Sequence, residues 1–186
     1  MTGPHPDSDI VPLLAHDHDV LKHLASGLHG LGPEERDERL RELTVQLVRH
    51  EVAEERVVHP AIRVDVLPGD RVATALLREE AGLQELLATL EKLDSAREGF
   101  ESVLDELQTQ MIEHMHDEEV TLFPLLRNLE ADVRRWDLGD RYARATRAAP
   151  THPHPRLPGT GAAILVAEPI ASLIDRVRDG VRAATG

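Results

Sequence analysis

Gln108–Leu126 reads QTQMIEHMHDEEVTLFPLL. Leu104, Leu107 and Met111 on one side of its middle, and Leu122 and Leu125 on the other, recur in steps of three and four. That is the period of a helix with one buried face. The ladder passes through positions 114 and 118, and there it carries His114 and Glu118. Residues four apart stand one above the other on a helix. An imidazole and a carboxylate therefore point together into what the leucines define as core, where an unpaired carboxylate is costly. A His–Glu pair at this spacing can hold a metal inside a helix bundle. As an ordinary surface pair it would contribute only about 0.2–0.5 kcal/mol, and the leucine register argues against that position.

The other helical stripes fail in the same way. Ser8 or Asp9 can cap a first helix over 9–29, whose apolar face is Val11, Leu14, Leu21, Ala25 and Leu28; the missing rung is His18. Pro33, with Glu34 and Glu35, opens a second helix over 33–59, ended or kinked by Pro60. Its face is Leu40, Leu43, Leu47 and then Val57 or Val58, and its missing rungs are His50 and Glu54, the same spacing again. After a turn at VLPGD, with Asp70 as cap, a third helix over 70–93 presents Ala73, Leu76, Leu83, Leu87 and Leu90; its missing rung is Glu80. Glu79 is the solvated alternative if that stripe is shifted by one position. The fourth helix spans 98–129.

Long amphipathic helices joined by short turns predict an all-α, up-down-up-down four-helix bundle. Counted from the turns at roughly 1.5 Å per residue, the interrupted rungs fall in one layer. The bundle domain is placed at 1–148, with its core over 9–130. It includes a short fifth helix, or a helix broken near Gly139, that ends before Pro150. Residues 149–161 read as a Pro-rich linker, and 162–186 as a short amphipathic helix carrying Ile170, Leu173, Ile174, Val177 and Val181. That helix is expected to dock on the bundle or on a protein partner.

Composition narrows the chemistry. Of 186 residues 41% are hydrophobic but only 2% aromatic, so the core is Leu, Val and Ala. The net charge of −13 argues against nucleic acid and anionic membrane as partners. No apolar run approaches the length of a membrane span, and no leader is visible. The chain has no cysteine, which removes thiolate-bound zinc, iron–sulfur clusters and disulfides and fits a cytoplasmic location.

His18, His50, Glu54, Glu80, His114 and Glu118 remain as ligands, a set suited to iron, manganese or zinc. Two His-x-x-x-Glu helices suggest two metals, each with its own imidazole, bridged by Glu54 and Glu118. His59 is a further candidate, as ligand or outer group, because Pro60 can swing it inward. His16 falls on another face, His116 points outward, and His23 is at most an outer group. His5, His29, His152 and His154 read as solvated loop residues, with His152-Pro-His154 a weak adventitious metal site.

Asp17-His18, His50-x-x-x-Glu54-Glu55 with VVHPAIR after it, and His114-x-x-x-Glu118-Glu119 before LFPLL together resemble the hemerythrin-like, HHE cation-binding family over about residues 10–130. The resemblance implies a four-helix bundle with a non-haem di-iron centre and an oxo, hydroxo or water bridge. It also implies O₂, peroxide or NO as ligands, with catalase-, peroxidase- or oxidase-like turnover as one branch. An iron- or oxygen-sensing module and a zinc or mononuclear bundle are the alternatives. The chain departs from the family pattern at Glu80, where a histidine is usual, and at His59, where close relatives often carry tyrosine. A compensating exchange of the two would make the site rich in carboxylate.

Overall fold

The computed structural model describes residues 8–93, 95, 96, 98–129 and 131–154; the expected C-terminal helix lies outside them. The first helix, α1, runs Ile10–Ala25 behind Asp9, whose side chain accepts the Val11 N–H. A 3₁₀ turn at Leu28–Gly30 leads to α2, Pro33–Ala53. A π-helical turn at Glu54–Val58 then carries the same arm into α3, His59–Asp65. After a tight turn come α4, Gly69–Leu90, and α5, Phe100–Asp117. The fourth arm repeats the second: a π turn at Glu118–Leu122 leads into α6, Phe123–Arg127. Last is α7, Asp132–Ala148.

α1 packs on α2, and α4 on α5 and α3. This is the all-α bundle expected from the stripes, and no strand occurs among the described residues. None of their helices is long and apolar enough to cross a membrane.

Two alternatives are decided and one expectation is corrected. Pro60 does not end the second arm, which continues to Asp65. Proline lacks an N–H and cannot serve the carbonyl four residues back; here the ladder widens just ahead of it, the His59 backbone N–H donating to the Glu54 carbonyl. Asp70 is not a cap, because α4 starts at Gly69 behind Pro68. Of the two readings of the fifth helix, the unbroken one holds: α7 runs through Gly139. A Cβ there would stand 1.7 Å from the Ser8 carbonyl oxygen, so glycine serves close packing of α7 on the N-terminal segment.

That contact gives a stability test. Gly139→Ala is expected to cost at least about 1–3 kcal/mol, since the obstacle is backbone. Gly82→Ala, in the middle of α4, meets only the Gln110 side-chain oxygen at 3.2 Å. It should stabilise by up to about 1 kcal/mol through helix propensity. Urea unfolding of both variants checks the signs.

The core is two apolar clusters stacked end to end. One holds Leu21, Leu43, Leu47, Leu83, Leu87, Leu107 and Met111. The other holds Leu14, Val57, Val58, Leu76, Leu122, Phe123 and Leu126, joined by Leu138 and Tyr142 of α7. Each long arm therefore leaves one cluster and enters the other at its interrupted rung.

Candidate metal centre

Between the clusters lies a polar layer. His18, Glu54, Glu80 and Glu118 are 0% exposed, His59 is 1%, and His50 and His114 are 2%. The helical registers place them there: His18 stands between Leu14 and Leu21, His50 and Glu54 between Leu47 and Val57, Glu80 between Leu76 and Leu83, and His114 and Glu118 between Met111 and Leu122. Two sets converge, His18, His50 and Glu118 in one, and Glu54, Glu80, His114 and Glu118 in the other, each within 4.8 Å. Glu118 belongs to both.

The distances have the scale of donors around an ion. His18 Nε2 is 3.0 Å and His50 Nε2 3.9 Å from Glu118 Oε2, while His114 Nε2 is 3.6 Å from Glu118 Oε1. His50 Nε2 is 3.3 Å from Glu54 Oε2, and His59 Nε2 3.2 Å from Glu80 Oε1. Ligands at about 2.1 Å from a shared cation sit about 3.0–3.4 Å apart. Both oxygens of Glu54 and of Glu80, both ring nitrogens of His59, and Nε2 of His50 and of His114 are buried without a hydrogen-bond partner. Proteins rarely leave such groups unsatisfied, and nitrogen and carboxylate donors aimed at one centre fit a divalent or trivalent metal. His59 stands outside both convergent sets, against Glu80.

Each imidazole of the two convergent sets is held from behind. His18 Nδ1 is 3.0 Å from Glu119, which also takes the Lys22 ammonium at 2.8 Å. His114 Nδ1 is 2.9 Å from Glu79. His50 Nδ1–H donates to the Tyr142 oxygen at 2.8 Å, and the Tyr142 O–H donates to Asp17 at 2.7 Å. Hydrogen bonding at Nδ1 leaves Nε2 for a metal and fixes the ring's orientation. Asp17, Glu79 and Glu119 are about one-third exposed and stand at the edge of the dry layer.

The electrostatics follow. Burial opposes charging His50, but the Glu54 carboxylate and the partners Asp17 and Glu118 raise it well above its ordinary value. His114 rises against burial to about 9, through Glu118 and Glu79. Burial and neighbouring carboxylates push Glu54 and Glu80 well up. Glu118 goes the other way: despite burial, His114, His18 and His50 hold it well below the carboxylate range. Burial takes His59 down to about 4, keeping it neutral.

Sequence reasoning missed Tyr142, which is 2% exposed and stands in a stretch beyond 140 without a recognisable motif. It also passed over Glu51, fully buried beside the layer and joined to Gln84 Nε2 at 2.8 Å, and Glu79, named only as Glu80's solvated neighbour. Acidic residues directly flanking ligand positions were the available signal for Asp17, Glu51, Glu79 and Glu119. His16, His23, His29 and His116 lie at the surface. His152 does not: it is 6% exposed and reaches Glu91 at 2.5 Å, beside a cavity of about 480 Å³ that contains none of the layer residues. The turn at 149–153 is buried against the bundle, which explains the difference from a solvated loop.

Tyr142→Phe should lower metal affinity about 10–100-fold, the usual effect of removing a group that orients a ligand. The helix should remain, since only the hydroxyl is lost. Competition with a chromophoric chelator and far-UV circular dichroism measure the two.

A helical bundle that converges buried imidazoles and carboxylates on one centre, with its second histidine nitrogens tied to outer acids or to the Tyr142 hydroxyl, is a cation-binding bundle. The family model for the hemerythrin HHE cation-binding domain matches residues 9–135, and the chain belongs to that family. It is similar to a hemerythrin-like protein of Schizosaccharomyces pombe (strain 972 / ATCC 24843), 28% identical over 135 residues. The alignment covers 72% of this chain and 66% of that protein's length. No solved structure matches the chain.

Proposed function

We propose that the centre holds two iron ions and binds or reacts with O₂, peroxide or NO, in a cytoplasmic protein. The observation that carries this is Glu118: one buried carboxylate common to two convergent ligand sets is the arrangement of a bridged pair. Glu54, 3.3 Å from His50 and also within the second set, would be the other bridging carboxylate. His18 and His50 would complete one position and His114 and Glu80 the other, with His59 against Glu80. A carboxylate-bridged iron pair supplies Lewis-acid and redox chemistry toward small oxygen species.

The chain's own residues set the conditions. The two clusters keep bulk water away, and burial of every ligand restricts access to small molecules. Phe123 stacks on His18 at 5.4 Å between ring centroids and closes that side. The outer acids hold the imidazoles as Nε2 donors.

Metal analysis of the protein as isolated, with its near-UV and visible spectrum, tests the reading. Two irons per chain with charge-transfer bands are expected; a colourless protein with stoichiometric zinc would overturn it. Peroxide consumption by the iron-loaded protein separates turnover from binding. A sensing role is the second reading, favoured by the Tyr142 contact, which ties His50 to the helix leading to the C-terminal segment.

A further inference from the structure

The bundle is an internal repeat. Adding 64 to His50, Glu54, Glu55 and Pro60 gives His114, Glu118, Glu119 and Pro124. The two π turns, Glu54–Val58 and Glu118–Leu122, are related by the same offset. Adding 62 to Leu14, His18, Leu21, Ala25 and Leu28 gives Leu76, Glu80, Leu83, Leu87 and Leu90. All ten of these residues are buried, so the halves correspond in packing as well as in order.

Within the layer the correspondence fails at two facing positions. In the first half the α1 position is the imidazole His18, with the Phe123 ring stacked on it. In the second half the α4 position is the carboxylate Glu80, and the counterpart of Phe123 is His59, 3.2 Å from Glu80. The surroundings diverge too. His18 is backed by Glu119 and the Lys22 ammonium; Glu80 faces Glu55, and the residue matching Lys22 is the neutral Gln84.

The two ligand sets are therefore unlike. With Glu118 and Glu54 shared as bridges, one adds two imidazoles, His18 and His50; the other adds one imidazole, His114, and a further carboxylate, Glu80. Imidazole suits zinc, cobalt and ferrous iron, whereas carboxylate oxygen suits harder cations such as Mn²⁺. We propose that the two metal positions are inequivalent: the one at Glu54, Glu80 and His114 is a hard-cation position that takes Mn²⁺ ahead of the one at His18 and His50. This rests on the two-metal reading above.

The test is a titration of the metal-free, full-length protein with Mn²⁺, followed by the loss of the free-ion EPR signal, and in parallel with Co²⁺, followed by its visible bands. Co²⁺ is expected to fill two equivalents. Mn²⁺ is expected to bind in two steps separated by about tenfold or more in affinity. The paired substitution Glu80→His with His59→Phe restores the first half's pattern in the second and should abolish the tighter Mn²⁺ step while keeping two Co²⁺ equivalents. Glu80→Gln, closer in shape, should weaken the same step. Equal Mn²⁺ steps in the unaltered protein, alongside two Co²⁺ equivalents, overturn the proposal and leave the two-metal reading standing. A single Co²⁺ equivalent overturns both.

Discussion

Glu118→Ala is expected to strip both metal positions at once. The protein should retain no stoichiometric metal through desalting, and the iron-loaded spectrum should not develop. Oε2 of Glu118 lies 3.0 Å from His18 and 3.9 Å from His50, and Oε1 lies 3.6 Å from His114. Among the described residues no other belongs to both convergent sets. Glu118 is also the one ligand carboxylate that the surrounding imidazoles hold well below its ordinary range, against the effect of burial. The loss should far exceed the roughly 10–100-fold expected for an outer group, and Glu119→Gln, which reaches the layer through the Nδ1 side of His18 and otherwise pairs with Lys22, provides that comparison. Elemental analysis, with circular dichroism to confirm the helix, decides it. Stoichiometric metal in Glu118→Ala would show that the sharing of this carboxylate is incidental.

The layer was legible because it is an interruption. A leucine ladder of fixed period names the positions it skips, and four ladders skipped at one level. His59 was harder, because its placement depends on the π turn. A period of 3.6 carries no sign of a turn widened by one residue, although Pro60 and Pro124, each six residues after a ligand glutamate, mark both sites in hindsight. Tyr142 was invisible for another reason. The buried face of α7 is only Leu138, Gly139, Tyr142 and Ala145 amid charged residues, too narrow to read as a core stripe. The pairing of Glu79 with His114 arises between α4 and α5, and no spacing within one helix encodes it.

The thermal stability gained on metal binding is expected to widen as pH rises from about 5.5 to 8. Glu51 sets the scale. It is fully buried, and burial raises its carboxyl from 4.5 to about 8. Between those values the folded, metal-free protein holds a proton that the unfolded chain has released, so stability falls as pH rises through that window. Glu54 and Glu80, also raised by burial and by neighbouring carboxylates, act in the same direction. His114, raised to about 9 through Glu118 and Glu79 against burial, contributes stability that is complete below 6.5 and lost as pH climbs toward 9. His59, lowered by burial to about 4, opposes the trend only below 6.5. Glu118 is also lowered from 4.5, so its contribution is complete and constant above about 5.5. A tenfold difference in proton affinity between folded and unfolded chain is worth roughly 1.4 kcal/mol. On that scale these groups should lower the metal-free Tm by on the order of 10 °C. Metal acts oppositely: it binds the deprotonated ligands, so its affinity, and the stabilisation that follows by mass action, increase with pH. Calorimetry of loaded and chelated protein across the range measures the gap. Glu51→Gln, which leaves every ligand in place, should flatten the metal-free curve in particular. A gap that stays constant or narrows would mean that the buried acids of this layer do not ionise as their surroundings dictate.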